Sequence, residues 1–229
     1  MKYLSILLYF VSLTSTFAQM TQFSDWAGIG RYAADNEKLA KVTRSDSSVV
    51  LMGNSITEFW QVIDPTFFEG KPYINRGISG QTTPQMLLRF RQDVIALSPK
   101  VVVILAGIND IAENTGPISL ETTFGNIASM SELALANNIK VVLCSVLPAY
   151  DFPWRTGMKP ADKVIQLNGL IKRYAEKNKL VYIDYFSAMV DQRNGLDKKY
   201  TADEVHPNLV GYQVMAPLLE QGIQQALRQ

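Results

Sequence analysis

In 229 residues the chain has a single cysteine, Cys144, and a single histidine, His206. A disulfide needs two cysteines and a Cys/His zinc site at least three such ligands, so both are excluded. Metal catalysis on the usual histidine ligands falls with them, although carboxylate-bound calcium stays open. Neither charge is in excess: 22 basic residues face 21 acidic ones, a formal net charge of +1. No basic footprint for nucleic acid or an anionic membrane is therefore expected. Internal repeats, low-complexity tracts and long linkers are also missing. What remains is an ordinary globular composition, 47% hydrophobic and 19% charged, with enough apolar side chains for one packed domain.

The N-terminus reads as a targeting segment. Lys2 supplies one positive charge, Leu4 to Leu13 is an almost unbroken apolar run, and Thr16-Phe17-Ala18 brings small residues to a cleavage position. The run is too short for a stable membrane span, and no cysteine follows it to take a lipid anchor. The expected organisation is a signal peptide over residues 1–18 and a single domain over 19–229, secreted or periplasmic. An apolar helix packed on the domain is the competing reading. Cys144, in the apolar run Val141-Val142-Leu143-Cys144, reads as a small buried core residue.

Five short β-rich runs follow: Val49 to Met52, Pro72 to Asn75, Val101 to Leu105, Lys140 to Val146, and Leu180 to Asp184. They are largely continuous in apolarity, the mark of parallel strands buried on both faces. Between them lie helical periods. Leu87, Phe90, Val94 and Leu97 share a face within Thr83 to Leu97, and Leu120, Phe124, Ile127 and Met130 share one in the next stretch. Lys163 to Lys177 and Tyr212 to Leu227 are the third and fourth, the last with a kink expected at Pro217. Strands alternating with helices predict an α/β fold with a five-stranded parallel sheet covered on both faces.

Ligands of such sheets sit beyond the carboxyl ends of the strands, which directs attention to four stretches. Gly53-Asn54-Ser55 follows the first strand, placing a hydroxyl at the rim, although Ser55 and Glu58 also fit an S-x-x-E capping box. Gly77-Ile78-Ser79-Gly80 follows the second and exposes backbone N–H groups, as an ordinary glycine turn also would. Gly107-Ile108-Asn109-Asp110 follows the third, where Asn109 is either an amide donor or an Asx turn. Asp203-Glu204-Val205-His206-Pro207 lies near the C-terminus, with Pro207 placing His206 just before the last helix. A hydrolytic serine needs a base, and the base needs an orienting group. His206 is the one imidazole available, Asp203 stands within reach of it, and Gly80 N–H, the Asn109 amide and Ser55 N–H can converge as oxyanion donors.

With these four blocks in order, the chain resembles the SGNH hydrolases, the GDSL-like lipase and acylhydrolase superfamily. The resemblance spans Gly53 to His206. It implies a three-layer α/β/α sandwich of the flavodoxin-like kind, with Ser55 as nucleophile, His206 as base and Asp203 as orienting carboxylate. It also implies an oxyanion hole of Ser55, Gly80 and Asn109, and no cofactor or metal. One departure stands out: Asn54 occupies the place of the usual Asp, removing a charge but keeping a hydrogen-bonding side chain of the same shape.

The expected activity is that of a secreted serine esterase on a small ester or acylated glycan, a short-chain acyl or carbohydrate O-acetyl esterase. Lysophospholipase or general acylhydrolase activity is the alternative, and a catalytically silent glycan-binding domain is another. Candidate substrate contacts are Asn54, Arg76, Tyr150 and Trp154. The last two belong to an aromatic segment, Pro148 to Lys159, which also carries Arg155. Gly28-Ile29-Gly30-Arg31-Tyr32-Ala33 fits the dinucleotide pattern G-x-G-x-x-A, but no β-rich run precedes it, which makes the match accidental. Nothing in the sequence fixes an oligomeric state.

Overall fold

The computed structural model describes residues 25–41 and 47–229. The expected signal peptide at 1–18 lies outside the described residues. Five strands form one fully parallel sheet: β1 (Val49–Gly53), β2 (Tyr73–Gly77), β3 (Val101–Leu105), β4 (Lys140–Cys144) and β5 (Val181–Ile183), in the order β2-β1-β3-β4-β5. Each expected strand is present, shifted at its ends by at most two residues. The continuous apolarity has the anticipated cause, since β1 and β3 are buried along their whole length.

Period-two alternation divides these strands between two cores. Val50, Met52, Val102, Ile104, Val141 and Leu143 enter one core, and Val49, Leu51, Val101, Val103, Leu105, Cys144 and Ile183 enter the other. The first core is closed by α3 (Thr83–Asp93), α5 (Leu120–Ala136) and α6 (Ala161–Asn178). The second is closed by α2 (Ser55–Ile63), α7 (Tyr185–Met189) and α8 (Leu209–Leu227). The result is the three-layer α/β/α sandwich. A short α1 (Ala33–Ala40) precedes the sheet, and α4 (Ile108–Ile111) follows β3.

Some helix boundaries differ from the periodicity. Helix α3 ends at Asp93, and Ile95–Leu97 continues as a 3-10 turn, yet Phe90, Val94 and Leu97 are still buried together. Helix α8 runs continuously through Pro217 from Leu209, where the Asn208 side chain caps it by accepting Gly211 N–H at 3.0 Å. Cys144 is buried as expected, and burial pushes its thiol up to about 12, leaving it protonated and unreactive. The Gly28–Ala33 stretch lies in turns leading into α1, with no strand of the described residues feeding it, so it is not a dinucleotide loop.

The strand order reverses at β1, which has β2 on one side and β3 on the other. The crevice beyond the carboxyl ends of these three strands receives Ser55, Gly80 and Asn109 in turn.

Candidate active site

Ser55 is the first residue of α2, and Asn54 caps that helix, its side-chain oxygen accepting Ile56 N–H at 3.2 Å. The S-x-x-E capping box does not form. Ser55 instead directs its hydroxyl to His206, at 2.9 Å from Nε2, while Glu58 accepts the Ser79 N–H and hydroxyl at 2.8 and 2.5 Å. The tight turn behind Ser55 depends on Gly53, where a Cβ would lie 2.0 Å from Thr57 Oγ1. At the start of a helix the Ser55 N–H points out of the backbone ladder, with the positive end of the helix dipole behind it.

His206 sits in the turn before α8. Its Nδ1–H donates to Asp203 Oδ2 at 2.6 Å, and its backbone N–H donates to Asp203 Oδ1 at 2.7 Å. Val205 N–H adds a third bond to Oδ1 at 3.0 Å. Burial works to raise the Asp203 pKa, but the bonds from His206 and Val205 outweigh it and hold the carboxyl below its ordinary value. An ionised carboxylate only accepts, so the imidazole proton is fixed on Nδ1 and Nε2 is left to accept from the Ser55 hydroxyl. Glu204, at φ 66°, makes the left-handed bend that folds Asp203 back toward the ring.

The second and third blocks meet beside this relay. Gln81 N–H donates to Ile78 O at 3.3 Å, closing a turn whose third residue is Gly80 at φ 77°. That is the glycine position of a type II turn. Asn109 Nδ2 donates one proton to Gln81 O at 3.0 Å, keeping its second amide proton for another acceptor. Asp110, next in sequence, locks this corner by accepting Thr83 N–H and, at 2.6 Å, the Thr83 hydroxyl. Burial nonetheless raises the Asp110 pKa.

These features combine a helix-end serine, an imidazole–carboxylate pair and two glycine-shaped corners at one sheet rim. A sequence profile, GDSL-like Lipase/Acylhydrolase family, matches residues 51–214, a stretch that contains every one of them. The chain belongs to that family. Its fold superposes on a GDSL-like lipase from Bacteroides thetaiotaomicron with a TM-score of 0.85 and 52% identity, covering 87% of this chain and 98% of that one. A protein of Bacteroides fragilis gives the same TM-score at 50% identity, over 88% and 98% of the two chains. An acetylxylan esterase of Geobacillus stearothermophilus is 25% identical over 154 residues, 62% of this chain and 68% of its own length. An uncharacterized lipoprotein of Bacillus subtilis is 35% identical, but over only 33% of this chain and 32% of its own length. Family and fold thus agree with the resemblance read from the four blocks.

The four candidate substrate contacts fare differently. Arg76 is corrected: its guanidinium is 2% exposed and is spent on Asp35 at 2.7 Å, Asn36 Oδ1 at 2.8 Å and Asn75 O at 2.8 Å. It lies on the edge strand β2, beside a cavity lined by Tyr32, Asp35 and Asn75 and by none of Ser55, Asp203 and His206. Asn54 is 1% exposed and serves as helix cap, so it too is withdrawn as a contact. Arg155 is held by the Ala112 carbonyl at 2.8 Å and the Glu113 carboxylate at 2.8 Å. Tyr150 carries Arg193 over its ring at 4.6 Å. Trp154 is 47% exposed, stacked on Phe152 at 5.2 Å, with its ring 6.0 Å from that of His206.

Phe59 was missed. Its ring is 5.5 Å from His206 and 36% exposed. The signal was its spacing, four residues after Ser55 on one helix face. Among the described residues no cluster of three or more His, Cys, Asp or Glu side chains is arranged to hold a metal ion, and no helix is long and apolar enough to cross a membrane.

Proposed function

We propose that this protein is a serine esterase that hydrolyses carboxylic esters through an acyl-Ser55 intermediate. The observation that carries the reading is the continuous chain from Ser55 Oγ to His206 Nε2 at 2.9 Å and from His206 Nδ1 to Asp203 at 2.6 Å. Ser55 Oγ attacks the ester carbonyl as its proton passes to Nε2, and Asp203 stabilises the imidazolium formed. The carbonyl oxygen becomes an oxyanion among Ser55 N–H, Gly80 N–H and the free Asn109 amide proton. Collapse expels the alcohol, which takes the proton from Nε2. Water then repeats the sequence on the acyl-enzyme with His206 as base, releasing the acid and restoring the Ser55 hydroxyl.

A short acyl group on a carbohydrate is the substrate class we assign. Phe59 and Trp154 flank His206 with exposed rings, a surface suited to a sugar face on the leaving-group side. The similarity to an acetylxylan esterase supports the same class. Export, expected from residues 1–18, fits such a substrate.

A panel of p-nitrophenyl esters of increasing chain length and acetylated xylo-oligosaccharides, with Ser55→Ala as blank, tests the reading. Acetate release from the sugars, absent in the blank, is the expected result. Preference for long acyl chains would favour a general acylhydrolase or lysophospholipase. Sugar binding without turnover would leave a silent glycan-binding domain. Wild-type turnover by Ser55→Ala would overturn the serine mechanism itself.

A further inference from the structure

The segment Asp25–Lys41 precedes the part of the chain that the family profile matches, 51–214, yet its bonds converge on the loop that carries Gly80. The Tyr32 hydroxyl donates to Gly77 O. Arg31 pairs with Glu58 at 2.9 Å, and Glu58 in turn holds both the N–H and the hydroxyl of Ser79. Gln81 Nε2 donates to Ala27 O at 2.7 Å. Every second residue from 77 to 81 is therefore tied to this segment, directly or through Glu58.

Gln81 is the joint of this arrangement. It is 4% exposed and follows Gly80 directly. Its backbone oxygen is the anchor for the Asn109 amide at 3.0 Å. Its side-chain oxygen accepts Arg89 Nε–H at 2.6 Å, and Arg89, fully buried and paired with Asp93, also donates to Gly53 O and Arg76 O at 3.1 and 2.9 Å. One carboxamide thus accepts from the core and donates to the N-terminal segment, a combination that neither a carboxylate nor an apolar side chain supplies.

We infer that Gln81 is a positioning residue for the oxyanion hole, and that the segment 25–41, bound to the loop 77–81, is a strap that aims the Asn109 amide. This rests on the serine-esterase reading. Neither Gln81 nor the strap touches the reacting atoms; they act through where Asn109 points. Small displacements matter, since misplacement by about 1 Å can cost about a hundredfold in rate.

Gln81→Glu isolates the strap, because the carboxylate still accepts from Arg89 but cannot donate to Ala27 O. With p-nitrophenyl acetate, kcat is expected to fall about tenfold at unchanged KM, the signature of an interaction made only in the transition state. The decisive measurement is the cycle with Asn109→Ala. In that background Gln81→Glu is expected to change kcat less than about twofold, because the donor it positions is gone. An equal fold-loss in both backgrounds, or wild-type kcat in Gln81→Glu, overturns the inference. Should Gln81→Glu not fold, Tyr32→Phe carries the test with the same expectation of a kcat loss that disappears without Asn109. Ser55→Ala separates the levels: an inactive Ser55→Ala beside a fully active Gln81→Glu sinks the strap alone, whereas an active Ser55→Ala sinks both.

Discussion

Ser55 Oγ and His206 Nε2 lie 2.9 Å apart although 151 positions separate them in the chain. The contact joins the start of the second helix to the turn before the last, and the sheet holds both ends. Ser55→Ala and His206→Ala should each reduce kcat on p-nitrophenyl acetate by about 10³-fold or more, as loss of a member of such a relay does. Asp203→Asn should cost a comparable factor while leaving the fold intact, because an amide at this position permits the wrong imidazole tautomer. Steady-state rates and circular dichroism of the three variants check this. A near-wild-type Asp203→Asn would remove the carboxylate from the mechanism.

In the proposed mechanism Asn109 acts through the amide proton not taken by Gln81 O. Removing one such donor typically costs about 3 kcal/mol of transition-state stabilisation, roughly a hundredfold in kcat. Asn109→Ala should therefore lose kcat at little change in KM. An effect confined to KM would place the amide on the ground-state substrate instead.

Much of this was legible in the sequence, and the reasons are specific. Strands β1 and β3 could be read because both faces are covered, so Val49 to Met52 and Val101 to Leu105 are apolar without interruption. Ser55, Asn109 and His206 could be read because each follows a strand or precedes a helix at a position fixed by Gly or Pro. Arg76 was misread because a strand pattern does not reveal that a cation is matched by Asp35, which lies on α1 outside the sheet. Gln81 and Arg89 gave little signal, apart from the i, i+4 spacing of Arg89 and Asp93. Their importance comes from which carbonyls they meet, and that is a property of the assembled loops.

Two glycines of the second block should respond to alanine for different reasons. At Gly77 a Cβ would lie 2.2 Å from Glu58 N and 2.7 Å from Asn54 O, backbone atoms at the start of α2. Gly77→Ala should destabilise by about 3 kcal/mol or more and displace Ser55 with it. Gly80 has nothing within 4 Å of a Cβ, but its φ is 77°. Gly80→Ala should cost only about 1–2 kcal/mol, the strain of a left-handed residue. Thermal unfolding of the pair checks the order, and equal destabilisation would contradict it.

Glu58 links acid stability to the same loop. Burial works to raise its pKa, but hydrogen bonds from Ser79 and Arg31 outweigh it and hold the carboxyl below its ordinary value of 4.5. A depressed folded-state pKa contributes stability that is present above the unfolded value and is lost as pH falls through the folded one. Glu58→Gln should therefore lower the melting temperature at neutral pH, and the gap to wild type should narrow as pH drops below about 4.5. A gap that is constant down to pH 3 would show that the carboxylate charge is not what holds Ser79.

The aromatic rings beside His206 give the sharpest distinction between substrate classes. Phe59 and Trp154 stand 5.5 and 6.0 Å from the imidazole and are both partly open to solvent. Neither belongs to the proposed relay or oxyanion hole, and Trp154 should matter little for a small activated ester with little leaving-group surface. A sugar leaving group that stacks on them would lose contact worth about 1 kcal/mol or more per ring on truncation. Trp154→Ala should accordingly raise KM for acetylated xylo-oligosaccharides several-fold while kcat/KM for p-nitrophenyl acetate stays within about twofold. Phe59→Ala should act in the same direction, with a somewhat larger effect on the small ester because that ring also supports the imidazole. Parallel losses on both substrates from Trp154→Ala would mean that the indole orders His206 rather than the sugar, and the carbohydrate assignment would lose its structural support.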